Sequence, residues 1–389
     1  MSNWLLPEYI QDVLPDEAWR IERMRERILE RMRCCGYQLV APSLLEYAES
    51  LLISGSRDMD LRTFKLVDQL SGRTLALRAD ITPQTARIDA HLMNRQGITR
   101  LCYAGSVLHT QPIGLTRTRE LLQIGAELYG VAGLEADLEI QRLMLEVLGI
   151  AGVTDVHVDL GHVGVFHALA RQAGLNPAQE SELFGVLQRK DVTELRALLA
   201  DLPVDKQAPL LALPELYGAA DDVLARARAR LPQLPEVVAA LDELAIAAAQ
   251  VQTLAQSVCL DLADLRGYHY HSGMVFAAYH AGSNDAIALG GRYDDFGKSF
   301  GRARPATGFS LDLRQLYRLS QPQPVLPGIL APNGRDAGLL AAIEALRAAG
   351  EVVVVDLLGD ASLRAEMHCD RELVEEGGSW SVIELKNQE

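Results

Sequence analysis

Cysteine is scarce in this 389-residue chain, and its five copies (Cys34, Cys35, Cys102, Cys259 and Cys369) show neither CxxC nor CxxH spacing. An odd set so placed excludes a disulfide framework and a zinc site, and fits a reducing, cytoplasmic setting. Long apolar runs are missing too. No uncharged apolar stretch reaches 18 residues, and the opening MSNWLLPEYIQDVLPDEAWRIERM lacks a basic start followed by a continuous apolar segment. Neither a membrane span nor an export signal is expected. Positive charge is in deficit, with 37 Lys and Arg against 52 Asp and Glu and a net charge of −15. Such a surface repels polyanions, which argues against nucleic acid or an anionic membrane as partner. No repeat of fixed period occurs, and no low-complexity tract beyond some Ala-rich helices.

What is present is an ordinary globular composition, 49% apolar and 23% charged, with length for two or three domains. The periodicity predicts a first helix with Asp16 as its cap and Ile21, Met24, Ile28 and Met32 on one face, ended by Gly36. Residues 37–40, 74–79, 101–109 and 119–129 read as strands without a helix between each pair, which predicts an antiparallel sheet and an α+β fold. A helix over 134–149 and a strand over 154–161 follow. From about 172 to 254 the sequence is Ala- and Leu-rich with charges at helical spacing and no strand pattern, a helical insertion. Strand signals return at 273–280 and 285–289, and residues 308–319 read as a strand running into a helix. QPQPVLP at 321–327, three prolines in seven residues, reads as a stiff linker. The expected division is a main domain over 1–320 and a small α/β domain over 321–389, the latter with strand, helix, strand and a last strand at WSVIEL.

Four segments concentrate chemistry. In Leu101–Gly130, two extended arms flank a polar loop with Pro112, Gly114, Arg117 and Arg119. Along the second arm Leu122, Ile124, Ala126 and Leu128 alternate with Gln123, Gly125 and Glu127, so one face is polar beside a side-chain-free gap. That face is either the floor of a ligand cleft or a solvated outer surface. LRADITPQTAR (77–87) puts Arg78, Asp80 and Thr82 on one face of an edge ending at Pro83, where a carboxylate and a hydroxyl can hold an ammonium. LRGYHYHSGMVF (265–276) gathers Arg266, Tyr268, His269, Tyr270 and His271; the two histidines are a metal pair or ordinary polar packing, and no third ligand lies near. LGGRYDDFG offers Gly290 and Gly291, as a turn or bulge or as a site of close backbone approach, without phosphate-loop spacing.

Together these segments resemble the catalytic domain of class II aminoacyl-tRNA synthetases, specifically histidyl-tRNA synthetase. QDVLPDEA resembles the synthetase start, VAPSLLEY resembles motif 1 around Pro42, and Tyr103 to Gly130 resemble motif 2 without a gap. RGYHYHSGMVF and GGRYDDFGKSFGRARPATGF resemble the two histidine-specific signatures. The likeness spans roughly residues 8–319, with a helical insertion where that family carries one.

The departures are equally specific. Where the resemblance calls for the motif 2 arginine that grips the α-phosphate, the chain has His109, and the nearby glutamate is Gln111; the motif 3 glutamate and arginine correspond to Arg314 and Gln315. An imidazole is not a permanent bidentate cation, and nucleotidyl transfer needs fixed positive charge where negative charge develops. The tail carries 5 Lys and Arg against 12 Asp and Glu over residues 321–389, unfavourable for a tRNA backbone. This combination is similar to the ATP phosphoribosyltransferase regulatory subunits, synthetase paralogues of histidine biosynthesis, and LRADITPQTAR looks more like that family than like the synthetase. The resemblance implies a protein with no catalytic residue, metal or cofactor of its own. It implies a homodimer core that assembles with a short-form catalytic subunit and takes histidine as feedback inhibitor. Asp80, Thr82 and Gln123 would meet the effector's ammonium, Glu127 its imidazole and Arg266 its carboxylate, with Tyr268 and Tyr270 close by. Asp80 is shorter than the family's usual glutamate, and His271 stands where the family has a ring-contacting tyrosine. The competing expectation is a divergent histidine-tRNA ligase or related ATP-dependent aminoacyl transferase.

Overall fold

The computed structural model describes residues 4–52, 57–112, 118–264, 270–321 and 327–385, in two compact units, Met1–Gln321 and Pro322–Glu389. The first helix, Pro15–Cys34, buries Ile21, Met24, Ile28 and Met32 at spacings of three and four, and Gly36 follows with φ +85°. Asp16 is not its cap. The cap position is Leu14, which makes no side-chain hydrogen bond, and Asp16 lies in the first turn, where the helix dipole favours an acid.

A nine-stranded sheet organises the larger unit. In spatial order its strands are Gln38–Leu39, Thr99–Leu108, Glu120–Tyr129, Ala306–Asp312, Ala288–Arg292, Met274–His280, Val156–His162, Ser257–Asp261 and Tyr217–Ala219. All neighbours run antiparallel except two pairs, Gln38–Leu39 with Thr99–Leu108 and Val156–His162 with Ser257–Asp261. The helices Pro15–Cys34 and Leu134–Ile150 pack on the same side, through a core that includes Ile28, Met32, Ile124, Ile140, Met144 and Phe309. The long central hairpin aligns Tyr103 with Gly125 and Leu101 with Glu127, and the next strand aligns Gly308 with Glu127. That register places the polar arm at mid-sheet.

Five helices between Pro177 and Val251 form the insertion, the first capped by Asn176 and Gln179 in a reciprocal capping box. The sequence pattern misses the short strand Tyr217–Ala219 within it, since three residues are too few to show alternation. A separate three-stranded sheet joins Leu45–Tyr47, Thr74–Leu77 and Lys65–Val67.

The smaller unit has four strands in the order Val353–Asp356, Gly328–Pro332, Cys369–Glu376 and Ser379–Glu384. Its helix Ala337–Ala348 turns Leu339 and Ile343 into a core with Ile329, Ala331, Val353 and Leu373. Cys369–Glu376 is a strand the sequence reading lacks. CDRELVEE carries five charges, and only Leu373 of it is buried, so no apolar alternation marks it.

Candidate ligand site

The strand Thr74–Leu77 ends before the cluster it was expected to carry. Arg78 turns inward, donating from Nε to the Ser106 carbonyl (2.9 Å) and from a terminal nitrogen to that of Pro42 (2.7 Å). Pro83 does not close a strand edge but lies in the first turn of the helix Thr82–Arg87, where its missing N–H is no loss. Asp80 and Thr82 therefore meet through a turn, with the Thr82 amide donating to Asp80 Oδ1 at 3.1 Å.

This turn docks on the polar arm. Gln123 donates from its amide to Asp80 Oδ1 (2.8 Å) and accepts from the Ile81 amide (2.9 Å), so the side chain is fixed at both ends. Thr82 Oγ1 donates to Glu127 Oε1 at 3.1 Å, and Tyr103 OH donates to the same oxygen at 3.0 Å. Tyr293 OH donates to Glu127 Oε2, and the Tyr129 hydroxyl lies 3.4 Å from that of Tyr293. Four of the seven expected residues, Asp80, Thr82, Gln123 and Glu127, thus form one hydrogen-bonded group.

Glu127 is 1% exposed. Burial pushes its carboxyl up to about 8, and the Asp80 charge adds to that, against the hydrogen bonds from Tyr293, Tyr103 and Thr82. Among the described residues no Lys or Arg pairs with it; its partners are hydroxyls. The gap read beside Gly125 is filled: a Cβ there would stand 2.5 Å from Tyr103 OH and from the Phe309 carbonyl oxygen. Glycine at 125 admits the Tyr103 phenol, and glycine at 308 admits the Glu127 carboxyl.

Arg266, Tyr268 and His269 lie outside the described residues. Tyr270 is described, its ring 6.1 Å from that of Tyr293 and 4.1 Å from that of His271, which sets it beside the phenol that holds Glu127. Among the described residues no cluster of three His, Cys, Asp or Glu side chains gathers to hold a metal. Gly290 and Gly291 are neither turn nor bulge. They lie within the strand Ala288–Arg292, where Gly290 makes room for the Phe276 ring and a Cβ on Gly291 would come within 2.7 Å of His271 Nε2.

Sequence reasoning missed Tyr103, Tyr129 and Tyr293. The first was legible from hairpin register, which sets Tyr103 opposite Gly125. Tyr293 comes from a remote segment, and nothing in its spacing pointed to Glu127. The motif 2 and motif 3 departures have structural employment: His109 Nε2 donates to the Ala79 carbonyl at 2.8 Å, Arg314 pairs with Glu120 at 3.3 Å, and Gln315 donates to Ser283 Oγ at 3.1 Å.

Comparison with known proteins is consistent with this geometry. The family model described as histidyl-tRNA synthetase matches residues 9–316, and that described as ATP phosphoribosyltransferase subunit HisZ C-terminal domain matches residues 326–383. The ATP phosphoribosyltransferase regulatory subunit of Ralstonia nicotianae is 60% identical over 382 residues, covering 98% of each chain. A crystal structure titled ATP phosphoribosyltransferase regulatory subunit/histidyl-tRNA synthetase, from Bacillus halodurans, superposes with a TM-score of 0.82 at 29% identity, covering 94% of this chain and 96% of that one. Histidyl-tRNA synthetase from Nostoc sp. PCC 7120 shares the fold, with a TM-score of 0.78 at 18% identity over 99% of this chain and 97% of that one.

Proposed function

The chain belongs to the ATP phosphoribosyltransferase regulatory subunits, and from that premise we propose that it binds histidine at the Glu127 network and transmits feedback inhibition to a catalytic partner. One observation carries the reading: a fully buried carboxyl that, among the described residues, faces hydroxyls and no Lys or Arg. An imidazolium placed beside it supplies the missing positive charge, and the two groups then stabilise each other's ionised forms. Asp80 and Gln123 supply acceptors for the α-ammonium, and Thr82 orients Glu127. Arg266, Tyr268 and Tyr270 complete the set, the arginine for the carboxylate.

The protein performs no adenylation in this reading. His109 is buried and committed to the Ala79 carbonyl, and Gln315 to Ser283, so neither of the two places expected to hold a phosphate-binding arginine carries a permanent cation. The partner is a short-form catalytic subunit in the cytoplasm. The core is a homodimer formed through the small sheet, where Leu45 and Leu66 are exposed beside a cleft of about 320 Å³ lined by Leu45, Glu46, Tyr47, Ser50, Leu75 and Arg87. Residues 322–326 of the expected linker lie outside the described residues.

Calorimetric titration of histidine into the chain tests the reading, followed by the partner's rate with and without histidine. Saturable binding that Glu127→Gln weakens is expected; absence of binding to the unsubstituted chain overturns it.

A further inference from the structure

Glu46 stands on the small sheet, in the strand Leu45–Tyr47, which pairs with Thr74–Leu77 and sets Glu46 opposite Ala76. Its side chain is 8% exposed, and its carboxylate gathers donors from one short helix. Gln84 donates from Nε2 to Oε1 at 2.5 Å, and Arg87 donates from its two terminal nitrogens to Oε2 at 2.9 Å and to Oε1 at 2.6 Å. Burial pushes the Arg78 guanidinium below its ordinary value and the Glu46 charge opposes that shift, so a second cation is favoured by the same carboxylate.

The helix so held, Thr82–Arg87, has little to hold it by itself. Its 6 residues are too few for a helix to persist alone, and Ile81 at its cap position makes no side-chain hydrogen bond. Tertiary contacts therefore fix it. Asp89, in the π-helical turn Ile88–Met93 that follows, pairs with Arg304 at 3.1 Å and secures the far end. At the near end the bonds run to the segment that leads into Glu46. The carbonyls of Pro42, Ser43 and Leu44 accept in turn from the Arg78 guanidinium (2.7 Å), Gln84 Nε2 (2.6 Å) and the Arg78 amide (3.1 Å). Asp80 and Thr82 lie between Arg78 and Gln84 in the chain, so residues 42–46 fix both flanks of the turn that presents them.

Glu46 is the charged member of that set. Hydrogen bonds to an ionised acceptor are about twice as strong as neutral ones, and removing the acceptor leaves the buried Gln84 amide and the Arg87 guanidinium without the group around which both are arranged. Thr82 begins the helix that these two side chains anchor, and its hydroxyl meets Glu127 Oε1 at 3.1 Å. A shift of the helix breaks that bond. We propose that Glu46 is a positioning residue of the effector site, which holds the Thr82 hydroxyl on Glu127 from outside the pocket. The inference rests on the histidine-binding reading of the Glu127 network.

Histidine calorimetry on the full chain tests this with E46A, T82V and the double variant E46A/T82V, once circular dichroism and urea unfolding show each to be folded. E46A is expected to weaken histidine binding about 10-fold. A merely structural role would lower stability and leave affinity alone, or lower affinity independently of Thr82, so that the two losses multiply. Positioning through Thr82 instead makes E46A/T82V bind about as weakly as T82V alone. E46Q keeps the shape and one acceptor oxygen and is expected to lose about 3-fold; it carries the same cycle with T82V if E46A does not fold. Unchanged affinity in the folded Glu46 variant, or losses that multiply in the double variant, overturns the proposal and leaves the histidine-binding reading standing. If the unsubstituted chain takes up no histidine, that reading falls and the role of Glu46 falls with it.

Discussion

Gly308 lies directly across the strand pair from Glu127, and a Cβ at that glycine would overlap Glu127 Oε2. The carboxyl can occupy its position only because its neighbour has no side chain. Gly308→Ala is therefore expected to displace Glu127 from Tyr103, Tyr293 and Thr82, to destabilise the chain by about 1–3 kcal/mol as overpacking does, and to abolish histidine binding. Gly149→Ala is the control. It lies exposed near the end of the helix Leu134–Ile150 with open space around it, so alanine should add up to about 1 kcal/mol through helix propensity. Denaturant unfolding and histidine calorimetry measure both.

Glu127 also makes stability depend on pH. Its folded-state value of about 8 lies above its ordinary 4.5, so between those limits the folded chain holds a proton that the unfolded chain has lost. Its contribution is fully present below about pH 4.5 and is lost as pH rises through 8. Glu127→Gln, a neutral isostere, should remove this dependence, so that the variant gains on the unsubstituted chain from pH 6 to pH 9. The same variant should lose histidine inhibition and keep its assembly with the partner. Urea unfolding at several pH values, with the two curves running parallel, would count against a buried acid at this position.

The sheet and the helices were legible where apolar groups recur with a clean period, as at Ile21, Met24, Ile28 and Met32 or along Leu122 to Leu128. Of the site, Asp80, Thr82, Gln123 and Glu127 were legible because motif residues on one arm and one turn are close in sequence. Two errors had the same origin. Arg78, Asp80 and Thr82 were read as a continuing strand, because alternation cannot show that hydrogen bonds from Arg78 to Pro42 and Ser106 bend the chain away. The gap at Gly125 was read as open, because only the tertiary register reveals the Tyr103 phenol in it. Tyr293 is 166 residues from Glu127, and no local pattern encodes a contact of that separation.

Arg292, the last residue of the strand that carries Gly291, forms a buried ion pair with Asp137, with nitrogen to oxygen at 2.8 Å and the side chains 8% and 2% exposed. Arg292 also donates to the carbonyls of Val131 and Gly133, which ties the start of the helix Leu134–Ile150 to the sheet. Asp137→Ala would leave the guanidinium desolvated, with the more exposed Asp294 as its remaining ion-pair partner among the described residues. A loss of about 3–5 kcal/mol is expected, against less than about 1 kcal/mol for Glu22→Ala, which breaks an exposed pair with Arg25. Chemical denaturation followed by circular dichroism separates the two.

His109 decides between a regulator and a divergent ligase. On the proposed reading a synthetase holds a fixed cation at this place; here the side chain is 6% exposed, its ring donates to the Ala79 carbonyl, and its backbone amide pairs with the Arg119 carbonyl at 2.8 Å. The longer arginine side chain has to break the Ala79 bond and displace its neighbours, so restoring it is not a conservative reversal. Gln315 is likewise engaged, by Ser283 and Ala286, so a second missing cation would need the same rebuilding. The unsubstituted chain is expected to show no histidine-dependent exchange of pyrophosphate into ATP. His109→Arg combined with Gln315→Arg is expected to show none either, and to unfold more easily by about 1–3 kcal/mol. Exchange above background in the unsubstituted chain would mean that phosphate chemistry proceeds here without an arginine at either place, and would return the protein to the ligases.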